Sequence, residues 1–236
     1  MDGAVASLQV ENDLFGSGLD RHYTNGLRLN LQSPAYTAPQ WARVLGAHLR
    51  LLDRPCGACT RRVSFAVGQN MYTPEDITRS DVVRDDRPYA GWLYGALGLL
   101  TLHPADAGAR ERLDTVELNL GVVGPASLAQ DVQQRWHELI GARRPRGWRH
   151  QLANEPGLNA YVSHQWRMDL GSGAGGTTLD LLPHVAYALG NVHTHAAAGA
   201  SLRLGNDLDG DFGPPRIRPS PPGGGFFTPR EDLGWY

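Results

Sequence analysis

The chain contains no lysine: all 22 of its basic residues are arginine, set against 24 acidic ones, for a formal net charge of −2. That balance creates no field to gather polyanions, so no nucleic-acid partner is expected. Charge is sparse at 19% of residues, and aromatics make up 8%. No apolar run reaches the ~18 residues of a membrane-spanning helix. Transmembrane helices are therefore excluded, but a transmembrane barrel is not, because its alternating strands average to a soluble-looking hydropathy. Met1-Asp2-Gly3 carries no signal peptide. An exported protein needs one, so a leader is expected outside this sequence.

Cysteine is nearly absent too. Cys56 and Cys59 form a lone C-x-x-C in Pro55-Cys56-Gly57-Ala58-Cys59. It could be a redox pair or half a zinc site. No second pair completes a zinc site and no βαβ pattern surrounds it, so a loop disulfide in an oxidising compartment is the preferred reading.

What the sequence has in quantity is period-two alternation. Leu27, Leu29 and Leu31 alternate with Arg28, Asn30 and Gln32. Val63, Phe65 and Val67 alternate with Ser64, Ala66 and Gly68, and Val116, Leu118, Leu120 and Val122 with Thr115, Glu117, Asn119 and Gly121. Ala198 to Gly205 repeats the pattern. Further strands are expected near 4–12, 91–102, 158–168 and 179–188. Alternation alone fits a soluble sandwich or a lipid-facing barrel equally well. Strands of about ten residues with small partners on the polar face lean towards the barrel. Trp92, Tyr94, Tyr161 and Trp166 fall near strand ends, as an aromatic girdle would, or as core residues.

Two stretches have helical spacing instead. One is 40–52, with Trp41, Leu45, His48, Leu49 and Leu52. The other is 126–140, with Leu128, Val132 and Leu139 on one stripe, Pro125 near its start and Gly141 at its end. Gly171 to Gly176 reads as a tight connection. Residues 214–229 read as an irregular Pro- and Gly-rich loop, and 231–236 as the beginning of a strand.

Polar residues gather in four places. Glu11-Asn12-Asp13 with His22-Tyr23-Thr24-Asn25-Gly26 offers oxygen donors suited to a hard cation such as calcium, though the same residues make ordinary turns. Asp85-Asp86-Arg87-Pro88-Tyr89-Ala90-Gly91-Trp92 could be an ion-paired loop entering a strand. Gln133 and His137 are four apart, on one helix face, where a histidine can serve as general base. His137-Glu138-Leu139-Ile140-Gly141 misses the H-E-x-x-H zinc motif by its second histidine. The fourth place is Gly147-Trp148 with Gln151, Asn154 and Glu155. Elsewhere, His193 and His195 share a face without a third ligand. Asp207, Asp209 and Asp211 resemble a calcium loop, but Gly210 is out of register and Arg218 stands where the closing Glu belongs, so a solvated turn is expected. No G-x-S-x-G elbow or phosphate-binding glycine loop occurs, which leaves serine chemistry without support.

Seven motifs occur in a characteristic order: Glu11-Asn12-Asp13-Leu14-Phe15; Tyr23-Thr24-Asn25-Gly26; Gly68-Gln69-Asn70-Met71-Tyr72-Thr73-Pro74; Asp86-Arg87-Pro88-Tyr89-Ala90-Gly91-Trp92; Gly121-Val122-Val123-Gly124-Pro125; Gln133 with His137, Ile140 and Gly141; and Gly147-Trp148 with Gln151, Leu152, Asn154 and Glu155. Together they resemble the outer-membrane lipid A 3'-O-deacylase family. The resemblance implies an all-β fold: an antiparallel, transmembrane, up-and-down barrel of about twelve strands, with a short helix carrying the site histidine. Residues 1–236 would then be a single barrel domain in the outer membrane, incomplete at the C-terminus, since eight strands and the start of a ninth are readable.

The resemblance further implies a monomeric, calcium-dependent ester hydrolase acting on lipid A or lipopolysaccharide. Residue by residue, it implies His137 as water-activating base, Gln133 one turn before it, and Asn12, Asp13 and Thr24 as the strand-borne partners. Asp13 and Thr24 are candidate Ca²⁺ ligands. Arg143 stands where part of the family has a glutamate ligand, so Glu138 and Glu155 are candidate substitutes. A phospholipase-like esterase on another lipid and a non-enzymatic barrel or pore are the alternatives.

Overall fold

The computed structural model describes residues 3–12, 22–35, 58–105, 110–213 and 224–227. The expected helix at 40–52, the expected strand at 231–236, Cys56 and Asp13 lie outside these residues. Cys59 is described, and it is disulfide-bonded.

The strands are β1 (Val5–Asn12), β2 (His22–Gln32), β3 (Thr60–Thr73), β4 (Ala90–His103), β5 (Arg112–Val123), β6 (Glu155–Trp166), β7 (Met168–Ser172), β8 (Thr177–Gly190) and β9 (His195–Asn206). All pair antiparallel in one nine-stranded sheet, each with its sequence neighbours except that β6 pairs with β8 and not with β7. β6 and β7 share β8 as partner, β6 along its second half and β7 along its first, so they act as one strand interrupted at Arg167. Only one α-helix is described, α1 (Ala129–Ile140), between β5 and β6.

The alternation resolves into two faces, and they are inverted relative to a soluble protein. On β2, Leu27, Leu29 and Leu31 are 42–53% exposed, while Arg28, Asn30 and Gln32 are 4–6% exposed. Leu8, Phe65, Val67, Leu120, Leu158, Leu189, Leu202 and Leu204 extend the exposed apolar face. In water such a face would demand a second sheet. Here the polar face is the buried one, as in a wall that turns its apolar side to lipid.

The wall curls around that polar face. Neighbouring strands lie roughly 4.8 Å apart, so β2 and β5 would be roughly 14 Å apart in a flat sheet. Yet Arg28 of β2 makes a bidentate, buried ion pair with Glu117 of β5, at 3.0 and 2.6 Å. The described strands thus form a half-barrel with a packed interior. At the helix end, Trp92 stacks on Tyr94 at 4.3 Å between ring centroids, and Tyr161 lies near His193. Trp92, Tyr94 and Tyr161 are nearly fully buried on this inner face. Of the two readings open for them, core packing is the one these three follow: their positions in the alternation point them inward.

The opposite end is closed by a short hairpin of β10 (Asp211–Phe212) and β11 (Gly224–Phe227). β11 falls inside the stretch expected to be irregular. Phe212 and Phe226 pack on Leu100, Leu113 and Leu182, with Arg167 over the Phe212 ring and Arg62 over the Phe226 ring. Asp211 is not part of a solvated turn. It pairs with Arg203 at 2.6 Å, and Arg203 also binds Asp180, so the carboxylate pins the hairpin to the wall. Arg203 and Asp180 are both buried, which makes the loss of either one costly.

Candidate active site

β5 ends at Val123, and the chain then folds back over the outer surface of the wall. Gly124 carries a φ of 100° and Leu128 the left-handed φ of 59°, so the backbone turns sharply before α1 begins. Gln69 of β3 donates to the Ser127 carbonyl at 2.6 Å, and Asn154 accepts from the Ala126 N–H at 2.8 Å. The start of the helix lies directly on Gly91 of β4, where an added Cβ would sit 2.1 Å from Ser127 Oγ and 2.3 Å from the Ala129 Cβ. Met71, Ile77, Tyr89, Ala129 and Trp148 form the apolar cluster beneath. At the far end, Gly141 takes φ 68° and closes the helix as its position suggests.

Between α1 and the wall lies a cavity of about 290 Å³ lined by Val10, Asn12, Thr24, Asn25, Leu27, Met71, Val132, Gln133, Trp136 and His137. It brings together Asn12 of β1, Thr24 of β2, and Gln133 and His137 of α1, from three separate stretches of sequence. Two local devices aim these groups. The β2–β3 register shifts between Tyr23 and Asn25, leaving Thr24 as the extra residue of a bulge. Bulges re-aim side chains at strand ends. Thr24 Oγ1 accordingly reaches Thr73 Oγ1 at 2.7 Å, while Tyr23 faces inward towards Tyr72. The second device is the helix period, which buries Ala129, Gln133 and His137 on one face.

Hydrogen bonds then fix the chemistry. His137 Nδ1 lies 2.5 Å from the Arg143 carbonyl oxygen. A carbonyl only accepts, so Nδ1 carries the proton and Nε2 carries the basic lone pair. Trp148 Nε1 donates to Gln133 Oε1 at 2.7 Å. An indole N–H only donates, so this contact settles the amide orientation. The Gln133 NH₂ group is thereby left buried with no acceptor among the described residues. A buried donor without a partner is costly and marks a place where a ligand oxygen fits.

The two remaining candidate ligands stand apart from this cavity. Glu138 is exposed on the solvent side of α1, 3.7 Å from Arg144. Glu155 lines a different cavity, of about 470 Å³, at the inner mouth of the wall with Tyr72, Arg87, Trp92 and His193. Neither carboxylate lines the cavity that holds His137. Among the described residues, no group of three or more His, Cys, Asp and Glu is placed to hold a metal ion. Met71, Trp136 and Trp148 belong to the site without having been given a role by sequence, while Asn25 is one of the oxygen donors noted beside Thr24. Trp148 and Asn25 do sit within the ordered motifs, and Trp136 directly precedes His137.

Comparison with known proteins agrees with this architecture. No curated protein matches the chain. The solved structure of LpxR from Salmonella typhimurium superposes with a TM-score of 0.63 at 24% identity, over 87% of this chain and 64% of that one. The chain therefore spans 64% of the length of that relative. The family described as outer membrane protein LpxR matches residues 2–236. By that match the chain belongs to the LpxR family of outer-membrane proteins.

Proposed function

We propose that the protein is a lipid A 3'-O-deacylase, hydrolysing the 3'-acyl ester of lipid A or lipopolysaccharide as a monomer in the outer membrane. The observation that carries the reading is one pairing. A histidine with its basic nitrogen settled and a glutamine with an unsatisfied buried N–H line a single apolar cavity on the lipid-facing wall. An ester of a lipid matches each part: an apolar chain, a carbonyl oxygen that becomes negative, and a water to be deprotonated.

In this mechanism His137 Nε2 takes a proton from water, and the resulting hydroxide attacks the acyl carbonyl. The tetrahedral oxyanion accepts from the Gln133 N–H, which is already positioned and requires no reorganisation. Collapse expels the sugar alkoxide, which takes the proton back from His137, leaving a fatty acid and a 3'-hydroxyl. The Arg143 carbonyl holds the imidazole orientation throughout and stabilises the imidazolium between the two transfers.

The family resemblance calls for calcium. The polar groups facing the cavity beside His137 are amide and hydroxyl oxygens from Asn12, Asn25 and Thr24, a hard-donor set that fits Ca²⁺ and not a thiophilic metal. Asp13, next along the chain, would be the carboxylate ligand beside Asn12 and Thr24. When bound, the ion would add positive charge near the developing oxyanion.

The test incubates the full-length protein in detergent micelles with purified lipid A and follows products by mass spectrometry, with Ca²⁺ or with chelator. Loss of the 3'-acyl group is expected, needing both the ion and His137. His137→Ala should lower the rate about 10²–10⁴-fold, and Gln133→Ala about 10²–10³-fold. Intact lipid A in every tube would reject the reading, and turnover of a phospholipid under the same conditions would move it to another lipid ester.

A further inference from the structure

α1 has three distinct faces. Ala129, Gln133 and His137 are buried against the wall. Asp131, Arg135 and Glu138 are exposed on the opposite side. Between them runs an unpartnered apolar stripe: Leu128 at the cap, then Val132, Trp136, Leu139 and Ile140, between 41% and 77% exposed. Four-residue steps from 128 to 136, with 139 and 140 one turn on, stack these side chains along one edge. Five large apolar side chains contiguous on one short helix need a cover.

We propose that this stripe is immersed in lipid, so that α1 lies in the plane of the membrane interface and forms one lip of a lateral portal into the active site. Continuity decides the occupant. Val132 and Trp136 line the same cavity as Val10 and Leu27, and Val10 and Leu27 belong to the exposed apolar face of the wall. The stripe is therefore an extension of the surface that already meets lipid tails. The flanking charges agree: Arg135 on the helix and Arg143, Arg144 and Arg146 just after it are exposed, as cations that meet anionic headgroups would be. Trp136, half exposed at the lip, has the amphipathic ring that settles at such a boundary. An acyl chain enters between Trp136 and Leu27 without leaving the bilayer. The immersion rests on the barrel wall; only the traffic through the portal rests on the deacylase reading.

The test needs no turnover. Cys59 is disulfide-bonded and no described cysteine is free, so a single introduced thiol can be spin-labelled selectively. Leu139→Cys and Glu138→Cys, both at exposed positions, are each labelled in the full chain, reconstituted in phosphatidylcholine vesicles and relaxed with O₂ or with a water-soluble nickel chelate. The expected result is an inversion: O₂ dominates at position 139 and the chelate at 138. Dominance of the chelate at both positions would place the helix in water and overturn the proposal. Low access to both agents at 139, with dipolar broadening between labels, would mean a second copy covers the stripe and would overturn it equally. Lipid A hydrolysis by the unlabelled full chain is followed in parallel, so failure of the deacylase reading is scored independently.

Discussion

The basic nitrogen of His137 is set by a main-chain carbonyl, not by an acidic side chain. Arg143 contributes its backbone oxygen, so the identity of its side chain is immaterial to the imidazole. Arg143→Ala is accordingly expected to leave lipid hydrolysis within about twofold, as for an ordinary surface substitution, measured by initial rates on micellar lipid A. A loss of the size produced by His137→Ala would show that the guanidinium itself takes part. A second histidine is tuned differently. His193, in the β8–β9 connection, is lowered to about 4 by burial, with repulsion from His195 adding to it. Tyr72 Oη approaches its Nε2 at 3.2 Å, and Asn159 accepts from its backbone N–H at 3.0 Å. Below its unfolded value near 6.5 the unfolded chain binds this proton first. The neutral ring therefore favours the folded state above that pH, and the advantage is lost as pH falls from roughly 6.5 to 4. A two-dimensional NMR titration of the labelled imidazole should give a midpoint about 4; an ordinary midpoint near 6.5 would contradict the packing.

At the scale of elements, the strands are legible in the sequence because each carries its own alternation; Leu27-Arg28-Leu29-Asn30-Leu31 needs no partner to be read. What alternation cannot supply is which face meets lipid, and that depends on how far the sheet curls. Trp92, Tyr94 and Tyr161 show the limit. Their positions near strand ends fit a girdle or core packing alike, and strand parity together with curvature sends them inside. The helix is legible from its spacing and from Gly141, and Gln133 and His137 from their separation. Trp148 is not, because its role depends on a hydrogen bond across 15 residues of chain. The seat of the helix on Gly91 is likewise invisible until β4 and α1 are together. Gly91→Ala is expected to push the start of α1 off the wall, since the added methyl has no space beside Ser127 and Ala129. Hydrolysis should fall while the barrel still folds, seen as an unchanged heat-modified band shift on gels. Full activity with an intact barrel would show that the helix is not seated there when the enzyme works.

For the molecule as a whole, the inner face is held by charge. Arg28 and Glu117 meet across the interior, each nearly sealed from solvent. Removing one partner strands the other, which costs about 3–5 kcal/mol, while replacing both with apolar residues of similar size is far milder. Arg28→Met and Glu117→Leu should each lower the unfolding midpoint in urea, and the double variant should recover most of the loss. Additive losses would show that the pair is wetter than its burial indicates. The position of the active-site cavity has a different kind of consequence. Because it opens sideways onto the lipid-facing wall, the proposed function implies that encounters between protein and lipid substrate take place in two dimensions. The governing quantity is then the mole fraction of substrate in the surface, not its amount per volume of solution. Diluting lipid A with inert detergent at constant bulk concentration should slow the enzyme in proportion, whereas diluting the whole suspension with buffer should leave the rate per protein molecule unchanged.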